Sequence, residues 1–361
     1  MDLFTSDVAA KSDERLQQEF DDFQHLYANE LETYLVSRCT TESKTWSRDY
    51  SSEEAYARSV APNREAWRDV LGRFEDEAVT GAPVETRLFH GAPCRARGDD
   101  YVAHWVQFEC LPGVISRAVI ARPANATGNV PVVICQHGIG SSPFHVFGRL
   151  DGHGLYGAYA LPLLEAGFAV VAPANRTTGP GRNRLERVAH LSGVTLFGLE
   201  CFKLERLIDY VETVEGLDAT RLGMSGLSLG GLATLFFTPL VDRIRAACSM
   251  AWFNHRRKKM VVIDPRYSCF LATQEEHAFV PGWLPEFSDS DLASLICPRP
   301  LQVQTGKADG IAWWPFLVEE WEQAKAHYDR LGIGDHAELV LHDSGHEVVP
   351  SKVVEFFRKW L

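Results

Sequence analysis

Ser228 stands in the run Gly226-Leu227-Ser228-Leu229-Gly230. A serine hydroxyl is a poor nucleophile at neutral pH. It needs a base to take its proton and an acid to orient that base. An apolar run at 221–224 precedes the serine, and a small-residue-rich run at 231–237 follows it. Strand, glycine-flanked serine, helix is the layout of a nucleophile elbow. Side chains at 226 and 230 would collide on so sharp a turn, and Gly231 lets the helix pack close. The helix N-terminus behind the serine offers unpaired N–H groups and a partial positive charge to an oxyanion. Ser225, within the strand end and with no glycine before it, is the wrong serine.

In elbows of this kind the partners follow in the order acid, then histidine. Asp309 closes Thr305-Gly306-Lys307-Ala308-Asp309, just beyond an apolar strand run. His346 closes His342-Asp343-Ser344-Gly345-His346 beyond the next one, with Gly345 free to let it swing toward the serine. Asp309 is read as acid and His346 as base, with Asp343 and Asp335 as competing carboxylates. His342 and His346 have the i, i+4 spacing of a helical zinc pair, but the strand before and Gly345 within make this a loop. No metal and no cofactor are expected.

One oxyanion donor is the backbone N–H of Leu229, directly after the nucleophile. The second should come from the loop Gln136-His137-Gly138-Ile139-Gly140 after an early buried strand. Ile139 is the expected donor, with Gly138 as the alternative register. His137, upstream of the nucleophile, reads as a loop brace rather than a base. Trp252, Phe253, Trp313 and Trp314 lie at strand ends near the site, as pocket walls or as ordinary core packing. His255, with Asn254 and Arg256, could touch polar substrate groups; Arg176, His153 and His277 are weaker candidates. The basic run Arg256-Arg257-Lys258-Lys259 reads as a solvated loop rather than an anion site.

The elements that must position these residues fall into two patterns. Residues 85–90, 101–110 and 114–121 read as strands joined by short turns, so antiparallel pairing is expected. From 130–135 onward, buried strands alternate with helices: strands at 168–172, 244–251, 301–305 and 337–341, helices at 157–166, 196–214, 315–331 and 351–361. A long loop is expected between 172 and 196. The reading is an α/β fold: a mostly parallel central sheet flanked by helices, with an N-terminal helical extension (residues 1–80) before a catalytic domain (81–361). The extension holds helices at 12–38 and 65–78. The irregular stretch 253–295 is a small cap-like insertion.

A net charge of −12 argues against nucleic acid and anionic membranes as partners. No apolar run approaches membrane-spanning length, and the opening MDLFTSDVAAKSDERLQQEF lacks the basic start and apolar block of a secretory signal. A cytoplasmic protein is the expectation, with the sequons at Asn125 and Asn175 accidental. The eight cysteines include no C-x-x-C and lie largely in strand and helix runs, so buried free thiols are expected rather than disulfides. Whether the N-terminal helices cover the active site or make a homodimer contact stays open.

Five motifs together carry a resemblance. They are the His137-Gly138 loop, the stretch 206–214 ahead of Leu217-Asp218-Ala219-Thr220-Arg221-Leu222-Gly223, the elbow, Cys297-Pro298-Arg299-Pro300-Leu301, and Gly345-His346. Residues 100–361 resemble α/β-hydrolases of the dienelactone hydrolase and acetyl-xylan-esterase-like group. The resemblance implies hydrolysis of small carboxylic esters, including acetylated sugars and lactones. Dienelactone hydrolases use cysteine as nucleophile, so a serine here points to the esterase side. The rival readings that keep the same triad are a prolyl-oligopeptidase-like peptidase and a hydrolase of C–C or C–N bonds. A scaffold with an inherited fold is the non-enzyme reading.

Overall fold

The computed structural model describes residues 13–40, 46–74, 85–88, 101–150 and 154–361. Nine strands form one sheet: β1 (Glu85–Leu88), β2 (Tyr101–Leu111), β3 (Val114–Pro123), β4 (Val130–Gln136), β5 (Ala169–Ala174), β6 (Leu217–Leu227), β7 (Ile244–Met250), β8 (Leu301–Gly306) and β9 (Ala337–His342). Their order is β1-β2-β3-β5-β4-β6-β7-β8-β9. The first three and the β3–β5 pair run antiparallel, and every pair from β5 through β9 is parallel.

The buried strands read as continuous apolar runs because both faces are covered. In β4, Val132 and Ile134 enter one core and Val133 and Cys135 the other. The first core is closed by the helices Leu196–Val211, Leu229–Phe237 and Trp314–Arg330, the second by Ala160–Glu165 and Pro350–Trp360. Val130 pairs with Leu217 and Gln136 with Gly226, so the ends of β4 and β6 lie side by side.

Two helix readings need correction. The second N-terminal helix is Glu53–Leu71, not 65–78; Ser52 caps it by accepting from the Ala55 amide at 3.1 Å, and Pro62 sits inside it. This helix is bolted to the elbow helix. Trp67 is fully buried, donates from Nε1 to the Phe236 carbonyl at 3.0 Å, and meets the Phe236 ring edge-on at 4.8 Å. The expected loop between 172 and 196 contains the helix Gly179–Leu191. Gly179-Pro180-Gly181 looks like a turn, yet proline in the first helical turn loses no intrahelical bond.

Among the described residues no helix is long and apolar enough to cross a membrane. The seven cysteines within them are free thiols, six of them buried; Cys94 lies outside the described residues.

Candidate active site

Ser228 stands between β6 and the helix that follows, with φ +59° and ψ −118°, a conformation L-residues rarely adopt. Its amide donates to the Met250 carbonyl at 2.8 Å, tying the turn to β7. The glycines are required by space: a Cβ on Gly226 would overlap the Gly230 carbonyl, one on Gly230 the Gln136 carbonyl, and one on Gly231 the Met250 carbonyl. Leu229 opens the helix Leu229–Phe237, where the first amides have no intrahelical acceptor.

The carboxylate and the imidazole come from the loops beyond β8 and β9. His346 Nδ1 lies 2.7 Å from Asp309 Oδ2. Asp309 is buried, and its Oδ1 accepts from the Ile311 amide at 3.0 Å. An ionised carboxylate only accepts, so the Nδ1 proton sits between the two and Nε2 is left with a lone pair. The Asp309 and His346 loops are pressed together at their roots, since a Cβ on Gly306 would overlap the Gly345 carbonyl. Beyond His346, Gln304 Oε1 accepts from the Val349 amide at 3.1 Å. The other carboxylates are engaged elsewhere: Asp343 with Lys307 and Asp335 with Lys359. Ser225 is buried in the strand, donating to the Ile134 carbonyl. His342 is the last residue of β9 and His346 stands on the loop beyond, so the two share no helix face.

The loop after β4 lies against the serine. A Cβ on Gly138 would stand 3.2 Å from Ser228 Cβ and 2.8 Å from the Leu227 carbonyl oxygen. Its geometry is set by a closed ring that sequence reasoning missed. The Gly138 amide donates to the Tyr156 hydroxyl at 2.6 Å, and Ser141 Oγ donates to the Gly138 carbonyl at 2.7 Å. With the serine proton so used, Tyr156 donates to Ser141 Oγ at 2.5 Å. The Gly138 amide is therefore already engaged. His137 is buried, which holds its imidazole down at about 3; Nε2 accepts from the Asn175 amide at 3.2 Å. Nothing in the sequence marks Tyr156, which sits 18 residues beyond Gly138 in an irregular stretch.

A cleft of about 220 Å³ opens beside the serine, lined by Ile139, His145, Leu150, Leu155 and Tyr156 together with Ser228 and His346. The aromatic residues expected as walls are not among its lining. Phe253 is a core residue, buried and edge-on to Trp321 at 5.8 Å. Trp252 is half-buried beside the elbow helix, under the Arg256 guanidinium at 4.1 Å. His255 packs against Phe316, and Trp313 lies under Arg266. Trp314 begins the helix Trp314–Arg330. His277 is buried, Arg176 is exposed, and His153 lies outside the described residues.

The basic run is a second correction. It forms the helix Arg256–Val261, with Arg256, Arg257 and Lys259 buried rather than solvated. Arg256 is paired with the fully buried Asp289 at 2.7 Å, and the Asn254 amide donates to the same carboxylate. Lys259 donates to the carbonyls of Ser268 and Ile311. Ile311 in turn gives its amide to Asp309, so the buried lysine braces the loop that carries this carboxylate.

A strained serine at the end of a parallel strand, with a histidine–carboxylate pair from two later strand ends, defines an α/β-hydrolase. The Abhydrolase family matches residues 94–312, more than half of the sequence, and the chain belongs to it. YtaP of Bacillus subtilis (strain 168), which carries the name of a hydrolase, is 24% identical over 261 residues, covering 68% of this chain and 83% of that protein. Among solved structures, one from Bacteroides fragilis NCTC 9343 bearing the name of an acetyl xylan esterase superposes with TM-score 0.66 at 16% identity, covering 86% of this chain and 81% of that one. A CE15 glucuronoyl esterase from Teredinibacter turnerae T7901 gives 0.61 at 14%, covering 84% and 85%. Acetyl xylan esterase from Paenibacillus sp. R4 gives 0.55 at 18%, covering 91% and 99%. At these identities the likeness is one of fold.

Proposed function

We propose that this chain is a serine esterase that cleaves small carboxylic esters, acetylated sugars among them, by two-step acyl transfer. The observation that carries the reading is the 2.7 Å pair of His346 and buried Asp309, with His346 and the strained Ser228 opening on one cleft. His346 Nε2 takes the proton as Ser228 Oγ attacks the ester carbonyl. The backbone amides of Leu229 and Ile139 hold the oxyanion, the Gly138 amide being committed to Tyr156. His346 then protonates the departing alcohol, and water repeats the sequence to free the acid. No cofactor takes part in these steps.

The cleft supports a short acyl group. At about 220 Å³ it falls below the usual range for drug-sized ligands, and Ile139, Leu150 and Leu155 give it apolar walls. The names of two superposing structures, both acetyl xylan esterases, favour an acetyl group on the acyl side and a sugar on the alcohol side, which would leave through the mouth of the cleft. The test is a chain-length series of p-nitrophenyl esters together with acetylated xylo-oligosaccharides. Acetate to butyrate should exceed octanoate by roughly tenfold or more in kcat/KM, since even one methylene that a pocket cannot take is worth about 1–3 kcal/mol. A preference for octanoate would contradict the reading of the cleft, and turnover of peptides but not esters would favour the peptidase.

A further inference from the structure

The helix Asp13–Thr40 carries an apolar stripe with nothing on it among the described residues. Leu16, Phe20, Phe23, Tyr27, Leu31 and Tyr34 fall within an arc of about 80° at 100° per residue. They are 38 to 66% exposed. The helix meets the body elsewhere: Cys39, on the far side of the helix from the stripe, packs against the main core, and the contacted elements are Arg256–Val261 and Trp283–Glu286. Single exposed leucines need no explanation, whereas six large side chains in one line do.

We infer that this stripe is a self-association surface, on which the same helix of a second copy of this chain docks antiparallel. Three observations select that occupant. The first is area. Aromatic side chains bury about 150–250 Å² each and leucines somewhat less, so covering four aromatics and two leucines that are near half-exposed removes roughly 600 Å² per copy. Two copies meeting face to face then bury roughly 1,200 Å², the lower bound of a stable specific interface. The second is symmetry. A stripe with large side chains at both ends and in its middle is self-complementary about a twofold axis near residue 25. That axis sets Leu16 opposite Tyr34 and Phe23 opposite Tyr27. The third is charge. The helix is acidic along its first two-thirds and ends in Arg38, its one base in the last turn. Antiparallel docking about residue 25 sets none of the helix's seven carboxylates opposite another, whereas parallel docking would set each opposite its own copy.

Sedimentation velocity on the full chain tests this, using the wild type and Phe23→Asp/Tyr27→Asp, whose changes lie on an exposed helix face. At tens of micromolar the wild type should sediment as a dimer, and the double variant as a monomer of unchanged far-UV circular dichroism. A monomeric wild type would overturn the inference. So would a dimer that persists in the double variant, because the interface would then lie elsewhere.

Discussion

His346 Nδ1 and Asp309 Oδ2 meet at 2.7 Å across 37 positions of sequence, each carried by the loop beyond a neighbouring parallel strand. The contact follows from register. Thr305 pairs with Leu341 and Gly306 with His342, so the two loops leave the sheet side by side. The carboxylate is buried and the imidazole reaches the cleft, which is the asymmetry a base and its orienting acid require.

Asp309→Asn should keep this packing while removing the charge. An amide can donate to Nδ1, which selects the wrong tautomer and leaves Nε2 protonated. The expected loss in kcat is on the order of 10⁴, with little change in melting temperature. Steady-state ester hydrolysis alongside thermal denaturation separates the two effects. A loss below tenfold would move the orienting role to another group.

Tyr156→Phe opens the ring that fixes the Gly138 peptide. The Gly138 amide loses its acceptor, which costs about 1–3 kcal/mol if it stays buried. The oxyanion loop should loosen with it. The expected kinetic signature is a 10- to 100-fold fall in kcat with KM within about threefold, because an oxyanion donor acts mainly in the transition state. A rise in KM at constant kcat would instead limit Tyr156 to its place in the cleft wall.

The buried Arg182 lies between two carboxylates, Glu200 at 2.7 Å and Glu186 at 3.0 Å. Burial pushes the Glu186 carboxyl up to about 7 from 4.5, against the pull of Arg182. The folded state therefore holds more protons than the unfolded chain between about pH 4.5 and 7. Stability from this group is present below that window and falls as pH rises through it. Glu186→Gln, neutral at every pH, should flatten that slope in denaturant titrations from pH 4.5 to 7. An unchanged slope would show that Glu186 is ionised throughout.

What the sequence reveals here depends on how local the determinant is. The elbow is legible because its glycines answer to clashes within a few residues, and Gly226 faces Gly230 itself. The Asp309–His346 pair is legible because strand order fixes which loops meet. The walls are not. Phe253 looks like a pocket aromatic until the helix Trp314–Arg330 brings Trp321 over it. Likewise the basic run looks solvated because its partner, Asp289, lies 33 positions downstream. Tyr156 carries no motif at all; only the folded loop brings its hydroxyl to Gly138 and Ser141.

The central claim is that Ser228 Oγ forms the acyl-enzyme. A fluorophosphonate probe reads this directly, since it reacts with a serine only when base and oxyanion donors are in place. The wild type should gain one adduct, mapped by peptide mass to Ser228. Ser228→Ala should gain none and should lose p-nitrophenyl acetate turnover. An adduct on another serine, or undiminished labelling of Ser228→Ala, would contradict the account.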